Sequence, residues 1–171
     1  TYSINNDWRL FVSQGKAIKN PTFVERFGFF PDSFLGNESL IPEQQKSTEA
    51  GIEGSFNNTS IQVSWFDANL NNEILGFVFE HDSGQFTAEN ATEKSERQGF
   101  EISARGQIDK LSWQAQYSYL DAMEGSDREL RRSRHSGSMS ATYTLNEYHQ
   151  WYVQADYSGT KFDRFFPPFP Q

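Results

Sequence analysis

The sequence predicts an all-β chain, an antiparallel transmembrane β-barrel segment of about 7–8 strands. Three observations carry that expectation. Apolar and polar residues alternate with period two, and aromatic residues supply much of the apolar side. Connections alternate between tight turns and long polar loops. The composition is aromatic (16%) yet hydrophilic, with mean hydropathy −0.73 and only 36% apolar residues, which suits strands keeping one face polar better than it suits a soluble aliphatic core.

The alternation is cleanest in Leu111 to Tyr119, where Leu111, Trp113, Ala115, Tyr117 and Tyr119 oppose Ser112, Gln114, Gln116 and Ser118. Helical spacing cannot separate residues in this way. The pattern returns with Met139, Ala141, Tyr143 and Leu145, and again with Trp151, Val153, Ala155 and Tyr157. Earlier faces are Trp8, Leu10 and Val12; Ala50, Ile52, Gly54 and Phe56; Ile61, Val63 and Trp65; and Phe100, Ile102, Ala104 and Gly106. Long strands are thus predicted over 8–16, 46–56, 59–68, 95–106, 111–121, 134–145 and 148–158, with a short eighth near 74–79 inside a loop. Seven is an odd number for a bacterial barrel wall, which fits an incomplete barrel.

Tight turns are expected at Asn57-Asn58, Ile108-Asp109-Lys110 and Asn146-Glu147, and long links at 17–45, 69–94 and 122–133. Short turns on the periplasmic side and long loops outside describe an outer-membrane barrel wall. Trp113, Tyr148 and Trp151 fall near the turn end, and Tyr117, Tyr119 and Tyr157 near the loop end, as two interfacial belts require. Ten residues tilted by roughly 40° rise on the order of 25 Å, the height of an apolar band.

Several classes are disfavoured. No run of 18 apolar residues exists to form a spanning helix. Nothing at the start resembles a signal peptide, so an export signal is expected upstream. The absence of cysteine removes disulfides and thiolate chemistry, and a net charge of −8 argues against nucleic acid. His81, His135 and His149 have no metal or catalytic spacing, and the serines lack a nucleophile context, so no catalytic residue, metal or cofactor is assigned. Loop acids such as Asp82, Glu89, Asp121 and Asp127 match no regular calcium motif. The competing readings are an outer-membrane barrel enzyme and a soluble ligand-binding β-domain, in which the aromatic faces would form a core.

The segment Lys19 to Gly51 carries Asn20-Pro21, then Glu25-Arg26-Phe27-Gly28, then Gly36, Asn37, Leu40, Pro42 and Glu43, and finally Glu49-Ala50-Gly51. Phe66 to Ile74 follows, then Asn90-Ala91 leading to Glu96, Gly99, Phe100 and Glu101, then Leu130 to His135. This ordered series resembles the C-terminal half of TonB-dependent outer-membrane receptors, which import iron-siderophore complexes, haem and cobalamin. Its one departure is Glu38, where the family usually has proline. The family-motif residues are thus Pro21, Glu25, Gly36, Asn37, Leu40, Pro42, Glu43, Gly51, Gly99 and Glu101.

The resemblance implies that residues 1–171 are part of a 22-stranded barrel in the bacterial outer membrane, with the plug domain and remaining strands absent. It further implies energy-coupled import of a scarce ligand, foremost an iron-siderophore complex, with cobalamin or haem as alternatives. Implied partners are the plug domain, the inner-membrane TonB complex, and lipid or lipopolysaccharide. Glu53, Gln62, Glu101, Arg105, Gln114, Gln116, Gln154 and Asp156 are placed on the lumen face, for plug docking or simply as a wetted wall. Candidate ligand-binding residues are Phe29, Phe30 and Phe34, which equally suit loop-on-loop packing, and Arg131, Arg132 and Arg134. The arginines suit an anionic ferric siderophore, lipopolysaccharide phosphates or simple anchoring of strand ends.

Overall fold

A backbone that crosses hydrocarbon must pair every N–H and C=O with protein, and here neighbouring strands do so over long uninterrupted ladders. The computed structural model describes residues 1–29 and 33–163. Its elements are β1 (Tyr2–Ser3), β2 (Trp8–Lys19), α1 (Phe23–Phe27), β3 (Glu43–Phe56), β4 (Thr59–Asn71), β5 (Ile74–Glu80), β6 (Gln85–Asn90), β7 (Ser95–Ile108), β8 (Leu111–Glu124), β9 (Asp127–Arg128), β10 (His135–Asn146) and β11 (His149–Ser158). The main sheet runs β1-β2-β3-β4-β7-β8-β10-β11, with β9 against the end of β8, and all pairings are antiparallel. It is an open wall, with β11 forming one edge. The hairpin β5-β6 is a separate two-stranded sheet.

All seven predicted long strands are present, and most extend two to three residues farther at the loop end. The predicted eighth strand is β5, and it has a partner, β6, that the sequence reading left in the loop. The one-turn helix α1 also lies within a segment read as loop.

The register sorts the two faces. One row joins Leu10, Ile52, Val63, Ile102, Tyr117, Gly137 and Tyr157 across successive strands. The next residue along each strand starts a polar row: Arg9, Glu53, Gln62, Ser103, Gln116, Ser138 and Asp156. Glu101, Arg105, Gln114 and Gln154 share that polar side, so all eight predicted lumen-face residues lie together. The polar side is concave enough to enclose a groove of about 750 Å³, bordered by Arg9, Glu53, Gln62, Arg105, Gln114 and Gln116. At the turn end, Asn57 and Asn58 both take left-handed angles, at φ 45° and 59°, the geometry that lets a two-residue hairpin follow the twist of its strands.

Gly51 and Gly99 have a steric reason to be glycine. The ring of Phe11 lies over Gly51, where a Cβ would come within 2.5 Å of it. At Gly99 a Cβ would meet the Tyr119 carbonyl oxygen at 2.0 Å and the Phe66 ring at 2.9 Å. Both rings lie on the polar side of the wall, over positions that carry no side chain. Gly99→Val in the whole protein is therefore expected to cost about 1–3 kcal/mol through overpacking. The check is heat-modifiable electrophoretic mobility, which reports barrel folding; an unchanged transition temperature would contradict the account.

Candidate functional site

The loop end is built from three connections that meet. In the first, Thr22 caps α1: its hydroxyl accepts from the Glu25 amide at 3.2 Å, and the Glu25 carboxylate accepts from the Thr22 amide at 2.6 Å. That backbone bond holds the Glu25 carboxyl below its ordinary range. Gly36 then passes so close to Arg26 that a Cβ would sit 2.3 Å from its carbonyl oxygen. Asn37 turns the chain, accepting from the Ser39 amide at 3.0 Å and donating to the Ala88 carbonyl at 2.9 Å.

These contacts lay the first loop beside β6 through a single parallel bridge between Phe34 and Phe86. Leu35 N–H donates to the Phe86 carbonyl at 2.8 Å and Phe86 N–H to the Ser33 carbonyl at 3.0 Å. Asn90 closes the joint, accepting from the Ile41 amide and donating to the carbonyls of Ile41 and Asn72. Underneath lies a small apolar core of Phe34 (4% exposed), Leu40 (1%), Ile74 and Ala88. Glu43, at the start of β3, accepts from the Ile74 amide and pairs with Lys19.

Above that core the hairpin presents aromatic rings. Phe77 is 66% exposed, and its ring centroid lies 5.0 Å from that of Phe34 and 6.4 Å from that of Phe86. Phe79 meets Phe86 edge-on at 5.4 Å and His81 at 5.1 Å, and Phe29 lies 6.0 Å from Phe34. Phe77 sits at the register shift of the hairpin with φ 59°, a left-handed angle that costs a bulky residue about 1–3 kcal/mol. The ring is thus held outward by the surrounding fold against a local preference.

The other two connections are tied by charge. Arg97, near the start of β7, bonds Glu73 at 3.0 Å and Glu129 at 2.7 Å, and Glu129 also takes Arg132 at 3.2 Å. Ser95 donates to Glu73 at 2.5 Å. Because Glu129 is only 9% exposed, the Arg97 pair matters more than a surface ion pair would. Arg134 pairs with Asp121 at 2.8 Å and lies 6.0 Å from the Tyr119 ring centre, while the exposed Arg131 pairs with Asp163 at 3.0 Å.

Of the predicted ligand-binding residues, Phe34 is packed in the loop core, Phe29 is exposed beside it, and Phe30 lies outside the described residues. Each of Arg131, Arg132 and Arg134 is engaged by a carboxylate. The motif residues Glu25, Gly36, Asn37, Leu40 and Glu43 together form the joint between the first loop and the hairpin, flanked by the half-buried Pro21 and Pro42. Gly51 and Gly99 seat aromatic rings in the wall, and Glu101 lies on the polar face between Ser64 and Ser118. The sequence reading missed Phe77, Phe79 and Phe86, and the bridge from Glu73 through Arg97. Among the described residues, no group of three or more His, Asp or Glu side chains is set to hold a metal ion.

Residues 1–168 match the family model described as TonB dependent receptor-like, beta-barrel. The chain belongs to that family. The vitamin B12 transporter BtuB of Vibrio vulnificus is 27% identical over 161 residues, covering 92% of this chain and 25% of that protein. BtuB of Vibrio cholerae is 23% identical over 170 residues, covering 99% and 26%. The chain thus spans about a quarter of the length of these relatives. Among solved structures, the ferric yersiniabactin uptake receptor FyuA from Yersinia pestis aligns with TM-score 0.67 at 16% identity, covering 91% of this chain and 24% of that one. The alcaligin outer-membrane receptor FauA from Bordetella pertussis gives 0.65 at 16%, covering 92% and 28%. At these identities the structural likeness shows the fold alone, that of a β-barrel wall; the family match places the chain in the outer membrane.

The loop joint yields two expected outcomes in the full receptor. Arg97→Met leaves Glu73 and Glu129 without their shared cation and is expected to weaken the loop packing by about 2 kcal/mol; limited trypsin cleavage within 125–134 should then be faster than in the wild type. An equal cleavage rate would show that the bridge does not hold the loops. The Glu25 cap contributes stability that is full above the ordinary carboxylate range and is lost as pH falls through its lowered value. Glu25→Ala should remove about 1 kcal/mol at neutral pH, read as faster amide exchange over Phe23–Phe27. Exchange that does not change would remove the cap from the account.

Proposed function

We propose that the whole receptor imports a scarce ligand, foremost an iron-siderophore complex, and that this chain supplies part of its wall and outer mouth. The observation that carries the reading is the aromatic surface of Phe29, Phe77, Phe79 and Phe86, held outward on a packed loop joint at the outer end of the wall. Exposed rings on a fixed support take up a bulky, partly apolar ligand with little ordering cost. In this reading the polar wall encloses a plug domain contributed by the rest of the protein, and the TonB complex delivers the energy that opens a path past it. Residues 1–171 form part of the barrel domain only. Arg131, Arg132 and Arg134 each pair with a carboxylate, so in this reading they anchor the strand ends and offer only their remaining donors to an anionic ligand or lipopolysaccharide at the rim. The role is transport, not chemistry.

The names of the Vibrio relatives make cobalamin the second reading. The two are separated by titrating the full-length receptor with a ferric catecholate siderophore, a ferric hydroxamate siderophore and cyanocobalamin, following binding by calorimetry. The Phe77→Ala/Phe86→Ala variant is expected to bind the ferric siderophore roughly tenfold to a hundredfold more weakly. Binding of cyanocobalamin alone would replace the siderophore reading. Siderophore binding that the variant leaves intact would remove the aromatic surface from the site.

A further inference from the structure

The aromatic hairpin stands in a stretch without a fixed cation. Between Asn71 and Glu93 the chain carries Glu73, Glu80, Asp82, Glu89 and Glu93 and no lysine or arginine; His81 is its one basic side chain. Glu73 is bound by Arg97, but Glu80, Asp82 and Glu89 are exposed and enter none of the salt bridges found among the described residues. The exposed Glu38 adds a carboxylate beside Asn37, which ties the first loop to Ala88. Alternation turns Glu80 and Glu89 to the face of the hairpin opposite the paired Phe79 and Phe86. A step along a strand is nevertheless only about 3.3 Å, against a screening length of about 8 Å at physiological salt, so the rings lie within the field of these carboxylates.

The cations of the loop end are held elsewhere. Lys19 is paired with Glu43, Arg97 with Glu73 and Glu129, Arg131 with Asp163, Arg132 with Glu129 and Arg134 with Asp121. The half-buried Arg26 donates to the Leu40 carbonyl at 3.0 Å. Lys94 and Arg128 have no ion pair among the described residues, yet both stand among carboxylates. Glu93 precedes Lys94 and its carboxylate lies over Gly125, while Asp127, next to Arg128, faces Glu124 across the ladder. Lys161 follows β11, at the far edge of the sheet from the hairpin. A ligand drawn to the rings therefore meets a negative field with no free cation of this chain beside it.

We infer that this sector of the mouth sorts its ligand by charge: it takes up an iron complex of zero or positive charge, of the ferric trihydroxamate class, in preference to a polyanionic ferric tris-catecholate. The inference rests on the siderophore reading above and adds the chemical class to it. The rings offer contact to either kind of complex, and the carboxylates decide between them. A positive group on the ligand is attracted both by the carboxylates and by the faces of the rings. The negative charges of a tris-catecholate find no such partner, because Arg131, Arg132 and Arg134 each already have a carboxylate within 3.2 Å.

The test uses the full-length receptor in a non-ionic detergent with three probes. The first is a linear ferric trihydroxamate ending in a free ammonium, the second is its N-acetylated form, which lacks only that charge, and the third is a ferric tris-catecholate. Calorimetry at low salt should show the ammonium form binding roughly threefold to tenfold more tightly than the acetylated form, with the tris-catecholate weakest. Added salt should weaken binding of the ammonium form and strengthen that of the tris-catecholate. Glu80→Gln/Asp82→Asn/Glu89→Gln should bring the two hydroxamate forms to equal affinity and raise that for the tris-catecholate, whereas a misfolded hairpin would weaken all three. Equal affinity of the two hydroxamate forms in the wild type, or tightest binding of the tris-catecholate, would overturn the inference. If cobalamin alone binds, the siderophore reading falls and the charge preference is read from aquocobalamin, which carries one more positive charge than cyanocobalamin. Tighter binding of aquocobalamin would then uphold the preference, and equal binding would overturn it.

Discussion

The need to pair every backbone polar group inside hydrocarbon governs the rest of this structure. It forces the chain into long ladders, and a ladder with period two sends alternate side chains to opposite faces. Arg9, Glu53, Gln62 and Gln116 can then share a wetted face while their immediate neighbours Leu10, Ile52, Val63 and Tyr117 share the other. The same constraint gives glycine its place. Where Phe11 and Phe66 lie across the ladder on the polar side, the residue beneath must have no Cβ, and Gly51 and Gly99 supply that space.

Outside the membrane the constraint relaxes, and other forces hold the chain. The strands continue past the apolar band through Gln44, Asn69 and Ala122, held by ladder bonds with little help from hydropathy. Beyond them, order comes from the apolar plug of Phe34, Leu40, Ile74 and Ala88, the asparagine bridges at Asn37 and Asn90, and the branching ion pairs of Arg97. Through Asn37, Asn90 and Arg97 these contacts join connections far apart in sequence. The aromatic surface is therefore as firm as its supports, although it stands on a loop.

This division explains what the sequence discloses. The long strands are legible because their alternation is written in Trp, Tyr and Val against Ser and Gln. Their loop-side ends are less so, because Gln44 or Asn71 can pair in a ladder without marking a face. The strand β6, QFTAEN, carries only Phe86 and Ala88 as apolar signals, so its partnership with β5 emerges only from the three-dimensional pairing. The helix α1 did leave a trace, a Thr three residues before a Glu at Thr22 and Glu25, within a segment whose family resemblance drew attention to the glutamate without assigning it a cap. The bridge through Arg97 has no local trace, since Glu73 and Glu129 lie 24 and 32 residues from it in sequence. Phe77 likewise shows its outward, left-handed setting only in the folded hairpin.

The unequal connections have a consequence for how such a wall changes over generations. An insertion of one residue at Asn57-Asn58 would shift β4 against β3 by one step and exchange its lipid and lumen faces at once, so the turn side is closed to gain or loss of length. The tip of the hairpin at His81 to Gly84 carries no ladder of the main sheet and can lengthen or shorten without moving a strand. Drift in length is thereby confined to the surface that meets the outside world, where toxins, phages and antibodies also make their contacts.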